Sequence, residues 1–496
     1  MASSRRTFAS LLLLLLLLLT SAQGNSLNTT AWHPECETPK APRRASTSAS
    51  SFVPSANFVS TLQSTLDEIK KVMSLVSTFS GVLGGDLRLS SAVNDCLDLL
   101  DLSSDELTWT LSASQPTTAS ASASGTGNRR SDFRSWMSAA LGNQDTCKEG
   151  LDGTGSLVET LVAGGIDMVT SLVSDGLREI AAAAGGGTGG KGGIRRLMGF
   201  PDWVSVADRR LLQAQPTTVS DAVVAQDGSG NYTTVEAAVA AAPAESARSR
   251  SYVDGSTTYR SATFAVAGKG FIARDLTIEN TAGPQKHQAV ALRSDSDLSV
   301  FYRCEFSGYQ DTLYAHSLRQ FYRECLVTGT VDFIFGNAAA VFQNCQLLPR
   351  RPLSEQKNSV TAQGRKDPNQ NTGFSFQFCN VSADADLVGF TNSTPTYLGR
   401  PWKEYSRTVF MQSYLGSLIR PEGWLEWNAE FALDTLYYAE YMNYGPGSGL
   451  GNRVKWPGYH ALNDPAMAAN FTVAQFIDGN MWLPSTGVKY TAGLTV

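Results

Sequence analysis

Charge is scarce in this chain. Asp, Glu, Lys and Arg make up 17% of its 496 residues, and the formal net charge is −5. A nucleic-acid binder needs a basic face, and no run of Lys and Arg here can build one. Histidine is scarcer still. There are four, and neither they nor the seven cysteines form a CxxC pair or a cluster with metal-ligand spacing. No metal and no cofactor are therefore expected. Long apolar runs are missing too, apart from Leu11 to Leu19, which falls well short of the roughly 20 residues that span a bilayer.

That one run follows Arg5 and Arg6 and precedes small residues at Ser21, Ala22 and Gly24, the layout of a secretory signal over residues 1–24. Once it is removed, no stretch is expected to cross a membrane. Sequons at Asn28, Asn231, Asn380, Asn392 and Asn470 agree with secretion. In an oxidising compartment some of the cysteines (36, 96, 147, 304, 325, 345, 379) should pair, and the odd number leaves at least one thiol.

What is present falls into three regions. From about Phe58 to Ala184 the spacing is helical: Phe58, Leu62, Leu66, Ile69, Met73 and Val76 recur at steps of three and four. The stretch Ala113 to Asn128, rich in Ser, Thr, Ala and Gly, reads as a loop between helices. This all-α four-helix bundle, within residues 25–190, holds nothing that looks catalytic. It is either a spacer or a pro-region that binds the rest. Residues 191–212 form a linker beside a glycine run, with basic pairs at Arg195-Arg196 and Arg209-Arg210. Flexible basic segments are where processing proteases cut, and two of them between dissimilar regions point to processing.

Residues 213–496 change to strands and turns. The tetrads FYRC, YREC, FQNC and FQFC end at Cys304, Cys325, Cys345 and Cys379, the first three 21 and 20 residues apart. A period near 20 with strand composition implies a solenoid, here a right-handed parallel β-helix with one coil per repeat. Equivalent positions in successive coils then stack at about 4.8 Å. Cys325 and Cys345 become neighbours within the Cα separation of about 4.4–6.8 Å that a disulfide needs.

The same period acts on two aspartates, Asp311 and Asp332, each among residues that look like buried strand. They are 21 residues apart, so they should sit side by side on one face, with Gln288 and Gln310 stacked beside them. One such aspartate alone reads as a turn cap. Two carboxylates this close cannot both ionise cheaply, so their pKa values split into a proton donor and a nucleophile or base. The pair reads as catalytic.

The blocks GYQDTLY, GTVDFIFGNA, HQAVALR, YLGRPW and DGSGNYTTV resemble the signature segments of plant pectin methylesterases. The helical region, with Cys96 in NDCLDLLD and Cys147 in NQDTCKEGLDG, is similar to the inhibitor-like pro-region of the same enzymes. The resemblance implies that Asp332 is the nucleophile on a galacturonosyl methyl ester. It makes Asp311 the acid for methanol and then the base for water. Gln310 and Gln288 would donate to the oxyanion, an effect worth roughly 3–4 kcal/mol per donor in comparable sites. Arg400 would orient Asp332 and favour its ionised form. Trp402, Tyr314 and Phe335 would offer flat faces to sugar rings, and Thr258 falls where the family binds substrate. The resemblance also implies a Cys96–Cys147 bridge, homogalacturonan and the chain's own pro-region as partners, a subtilisin-like processing protease, and a place in the cell wall.

Two departures from the family stand out. Between AAAPAESARSR and SYVDGSTTYR, around Arg250 and Ser251, roughly 40 residues that form early coils are missing, about two coils by the repeat length. Cys36 lacks the nearby second cysteine usual in the pro-region. Two other readings stay open. Paired carboxylates on a β-helix could cleave a glycosidic bond, as in polygalacturonases, with an inverting separation of about 6.5–9.5 Å. The chain could also be an inactive, truncated wall-binding or inhibitory protein.

Overall fold

The computed structural model describes residues 52–79, 86–115, 125–152, 154–182 and 251–495, all within one compact unit. The signal, Cys36, the linker with Arg195, Arg196, Arg209 and Arg210, and the sequons at Asn28 and Asn231 lie outside them.

Four helices come first: α1 (Ala56–Ser77), α2 (Leu87–Ser114), α3 (Arg129–Leu151) and α4 (Leu157–Ala182). Their starts follow capping chemistry. Ser55 accepts from the Phe58 N–H, Asp86 from the N–H groups of Arg88 and Leu89, and Asn128 from that of Ser131. Each helix packs on the next, and α1 closes the ring against α4. The spacing read from α1 holds: Phe58, Leu62, Ile69 and Val76 are buried, with Leu66 and Met73 half-buried beside them. A disulfide joins Cys96 of α2 to Cys147 of α3, with Cα atoms 4.5 Å apart.

Helix α4 qualifies one expectation. It is long and apolar enough to cross a membrane, with a mean hydropathy of 1.4 over its best window. Seven of its apolar residues nevertheless form one face, Val158, Val162, Ile166, Val169, Val173, Leu177 and Ile180, buried in the bundle, while Leu157, Leu161 and Met168 are exposed. Helix α3 is different, being buried on nearly every side from Asp132 to Gln144. One side faces the bundle and the other faces the β-structure. Gly142 lies so near the second that a Cβ there would sit 3.4 Å from the Asn337 amide.

The chain from residue 264 winds into a parallel β-helix with three main sheets of five, eight and six strands. Each of the first five coils gives one strand to each sheet in turn. The coil beginning at Leu313–Ala315 continues through Arg319–Arg323 and Leu326–Gly329, and all three strands pair in parallel with the coils on either side. Inside, one aromatic ring per coil stacks on the next. Phe301, Tyr322, Phe342, Phe376 and Phe410 have centroids 4.4–4.8 Å apart and planes within 14°. The C-terminal segment, through Val473, Ile477, Trp482 and Leu483, covers the eight-stranded sheet at Leu298, Val300, Phe321, Ala339 and Val341. The strands Phe264–Lys269, Ile272–Arg274 and Thr277–Glu279 of the first coil are each the end strand of their sheet.

The repeat ending in cysteine is a turn. Arg303, Glu324, Asn344 and Phe378, each just before its cysteine, have φ of 52–57°, in the left-handed region. The turn carries the chain from the eight-stranded to the six-stranded sheet and aims the next side chain inward. The expected bridge between Cys325 and Cys345 is not formed. Both are free buried thiols, as are Cys304 and Cys379. Stacking does satisfy the Cα separation, and the thiols form a ladder in which Cys325 lies against both Cys304 and Cys345, and Cys345 against both Cys325 and Cys379, so no one pair is singled out. Each sulfur also meets backbone carbonyls. Cys325 meets the oxygens of Arg323 and Phe301, Cys345 those of Gln343 and Tyr322, and Cys379 those of Gln377 and Phe342. Ser413 does the same one coil on, donating to Met411 and Phe376.

Candidate active site

The five-stranded sheet, Phe264–Lys269, Leu292–Asp297, Leu313–Ala315, Ile334–Gly336 and Thr361–Gln363, carries the site. Leu313 pairs with Ile334 and Tyr314 with Phe335, which puts Asp311 and Asp332 one coil apart at the same height. Contrary to the sequence reading, neither aspartate lies in a strand. Both sit two residues before one, with φ of 63° and 52°. Aspartate tolerates the left-handed region better than most residues, and such turns turn a side chain off the sheet's pleat. The Asp311 N–H donates to the Val331 carbonyl, locking one turn onto the other.

The glutamines reach register through an irregularity. The N–H groups of Ala291 and Leu292 both donate to Thr312, while that of Ala289 donates to Gln310. The upper coil thus holds one extra residue before Leu292, which aligns Gln288 with Gln310 despite the 22-residue gap.

Arg400 comes from the segment after Thr396–Tyr397 and donates to Asp332 with two arms, Nε to Oδ1 at 2.9 Å and Nη2 to Oδ2 at 2.7 Å. Asp311 receives no such pair. Burial, and then the charge of Asp332, push its carboxyl well above the usual carboxylate range, with Arg400 pulling weakly the other way. Tyr314 and Phe335 stack at 4.1 Å between centroids, and Trp402 tilts over them at 6.4 and 5.8 Å. Trp402 lies flat on Gly364, where a Cβ would come within 2.8 Å of its ring. All nine expected residues, Thr258, Gln288, Gln310, Asp311, Tyr314, Asp332, Phe335, Arg400 and Trp402, line a single cleft of about 340 Å³.

The cleft has walls that the sequence did not disclose. Trp427 lies on one side, its ring 4.3 Å from the Arg400 guanidinium. Nothing in GWLEWN marked it, because its partner is 27 residues earlier in another loop. Further walls come from the helices, Arg88 and Asp95 of α2 and Thr146, Glu149 and Gly150 of α3, and from Tyr252, Thr257 and Tyr259 just ahead of the β-helix. Tyr314 and Phe335 are buried because their faces join the hydrophobic core of the bundle. Around this contact Asp95 pairs with Arg260 at 2.6 Å, Asp132 with Arg319 at 2.7 Å, and the Trp136 indole donates to Asp297 at 2.8 Å. The helical region therefore sits on the cleft. Among the described residues no cluster of His, Cys, Asp and Glu has the form of a metal site.

Comparison with known proteins fits this architecture. The pectinesterase family profile matches residues 246–480, and that of plant invertase/pectin methylesterase inhibitors matches residues 36–178. A peach (Prunus persica) protein named pectinesterase/pectinesterase inhibitor is 56% identical over 479 residues, 89% of this chain and 90% of the relative. An Arabidopsis thaliana protein named probable pectinesterase/pectinesterase inhibitor is 52% identical, covering 90% of this chain and 94% of its own. The solved structure of pectin methylesterase from carrot is 49% identical and superposes with a TM-score of 0.53, over 57% of this chain and all of that one. The chain belongs to the pectinesterase family, with a region of the inhibitor family ahead of its β-helix.

Proposed function

We propose that the β-helix, residues 213–496, hydrolyses the methyl esters of homogalacturonan to free carboxylates and methanol in the cell wall. The observation that carries this reading is the unequal pair: Arg400 grips both oxygens of Asp332, while Asp311, one coil away, is pushed toward its protonated form. An Asp332 oxygen attacks the ester carbonyl, and the oxyanion accepts hydrogen bonds from the Gln288 and Gln310 amides. The C–O bond to the methoxy group breaks as Asp311 gives it a proton, releasing methanol and leaving an acyl-Asp332. Asp311, now ionised, takes a proton from water as that water attacks the acyl group. Asp332 leaves, and both aspartates return to their starting states. Trp402, Tyr314, Phe335 and Thr258 hold the sugar chain.

The region 25–190 acts as an inhibitory pro-region, because Thr146, Glu149 and Gly150 wall the cleft and α3 covers its aromatic floor. After secretion directed by residues 1–24, a subtilisin-like protease cuts the 191–212 linker at Arg195-Arg196 or Arg209-Arg210 and frees the enzyme. The test is to secrete the full chain from a plant host and assay methanol and reducing ends on esterified pectin. Methanol without reducing ends, abolished by Asp332→Asn, is expected. Reducing ends in their place mean glycosidase chemistry, and neither product from a folded, processed chain means a non-catalytic protein. Replacing both arginine pairs should leave the pro-region attached.

A further inference from the structure

We infer that Lys403 and Lys366 form a subsite for the free carboxylate of an unesterified galacturonosyl residue, and that Asp145 and Glu149 of α3 fill it in the unprocessed chain. Lys403 follows the Trp402 platform, and its Nζ lies 5.4 Å from that ring. It meets two carboxylates at once, Asp145 at 3.1 Å and Glu149 in a closer pair, while Lys366 also holds Asp145. Glu149 itself lines the cleft. Among the described residues neither lysine forms an ion pair with the β-helix. When α3 leaves, two ammonium groups remain uncompensated at the edge of an aromatic sugar platform.

Homogalacturonan suits this arrangement because it carries one carboxyl per sugar, spaced along a chain that runs past Trp402. A methyl ester is neutral and gains little from an ammonium, whereas a free carboxylate makes charge-assisted hydrogen bonds. The lysines thus separate acid from ester beside the reacting residue, and the pro-region's two acidic side chains stand where sugar carboxylates would.

The inference takes its ligand from the esterase reading, and its test separates the two. The full chain carrying Asp145→Asn and Glu149→Gln loosens the contact without leaving buried acids unpaired. Titration calorimetry at low salt then measures two probes, a fully de-esterified hexagalacturonate and its fully methylated counterpart, with methanol release assayed in parallel. The acid probe should bind this chain at least about tenfold more tightly than the unaltered one. Adding Lys403→Ala and Lys366→Ala should remove that gain, Lys403→Arg should keep it, and the methylated probe should be indifferent to all three. Equal losses for both probes, undiminished acid binding without the lysines, or no acid binding to any folded chain would each overturn the subsite. Lysine-dependent acid binding without methanol release, even after the linker is cleaved and the pro-region removed, would instead keep the subsite and refute the esterase.

Discussion

Arg400 takes both oxygens of Asp332 and leaves Asp311, one coil away, without an ion-pair partner among the described residues. Two carboxylates in a repeating scaffold would otherwise share one environment and one chemistry. The guanidinium breaks that equivalence, and Trp427 at 4.3 Å from it helps fix its plane. Position on the coil brings the aspartates together, and a single cation from a later loop tells them apart.

Replacing Arg400 by lysine keeps the charge and discards the fork. Asp332 then loses its fixed orientation, and misplacing a reacting group by about 1 Å costs roughly a hundredfold in rate. The kcat of processed Arg400→Lys should fall by about that factor, with an unchanged circular dichroism spectrum. A fall of less than about threefold would show that Asp332 does not depend on this grip.

Asp311 makes a prediction about stability whose sign is fixed. Its pKa is raised on folding, so between the unfolded value of about 3.9 and its folded value the native state holds a proton the unfolded state has lost. Its contribution is fully present below the unfolded pKa and disappears as pH rises through the folded one. Asp311→Asn cannot titrate and escapes this loss. Its melting temperature should exceed that of the unaltered chain at pH 7 and converge with it near pH 3, while methanol release is lost. Scanning calorimetry at several pH values checks it, and a variant less stable at pH 7 would contradict the buried, protonated acid.

What the sequence disclosed about this site is its periodic part. Spacings of 20–22 residues between like tetrads, aspartates and glutamines translate directly into stacking, because a coil repeats at fixed rise. The left-handed turns at Asp311 and Asp332 were hidden, since a run such as GTVDFIFG has strand composition throughout and only the backbone shows the break. The Cys325–Cys345 pairing failed for another reason: the period stacks four cysteines into one ladder of free thiols and singles out no pair. Contacts of Glu149 with Lys403, or of Trp136 with Asp297, join residues more than 150 positions apart with no shared repeat. No local pattern can announce them.

The four thiols follow from their hydrogen bonds. Cys304, Cys325, Cys345 and Cys379 are each 2% exposed or less, so alkylating reagents should leave them unmodified in the folded protein. Unfolding without reductant should expose all four, while Cys96 and Cys147 stay protected. Cys345→Ser should change the melting temperature by only a few degrees, because Ser413 already fills the equivalent place with an O–H donor. Peptide mapping that finds any two of the four linked would refute the stacked-thiol arrangement.

The last prediction concerns latency. Trp136 of α3 donates its indole N–H to Asp297, a carboxylate that also receives Arg319. Burial works against the ionised Asp297, yet Arg319 first, and the indole after it, hold it below the ordinary range. Trp136→Phe keeps an aromatic ring among Phe133 and Trp109 while deleting the donor, together with some buried ring surface that packs in the bundle and faces Lys269. A hydrogen bond to a charged group contributes about 1.5–3 kcal/mol, so the open form should become roughly ten- to a hundredfold more populated. The uncleaved chain with both arginine pairs replaced should then release methanol measurably faster, while the processed enzyme, which has lost α3, is unaffected. If the two uncleaved chains are equally silent, closure of the cleft does not depend on this contact and rests on the ion pairs of Asp95, Asp132, Asp145 and Glu149 and the apolar contact.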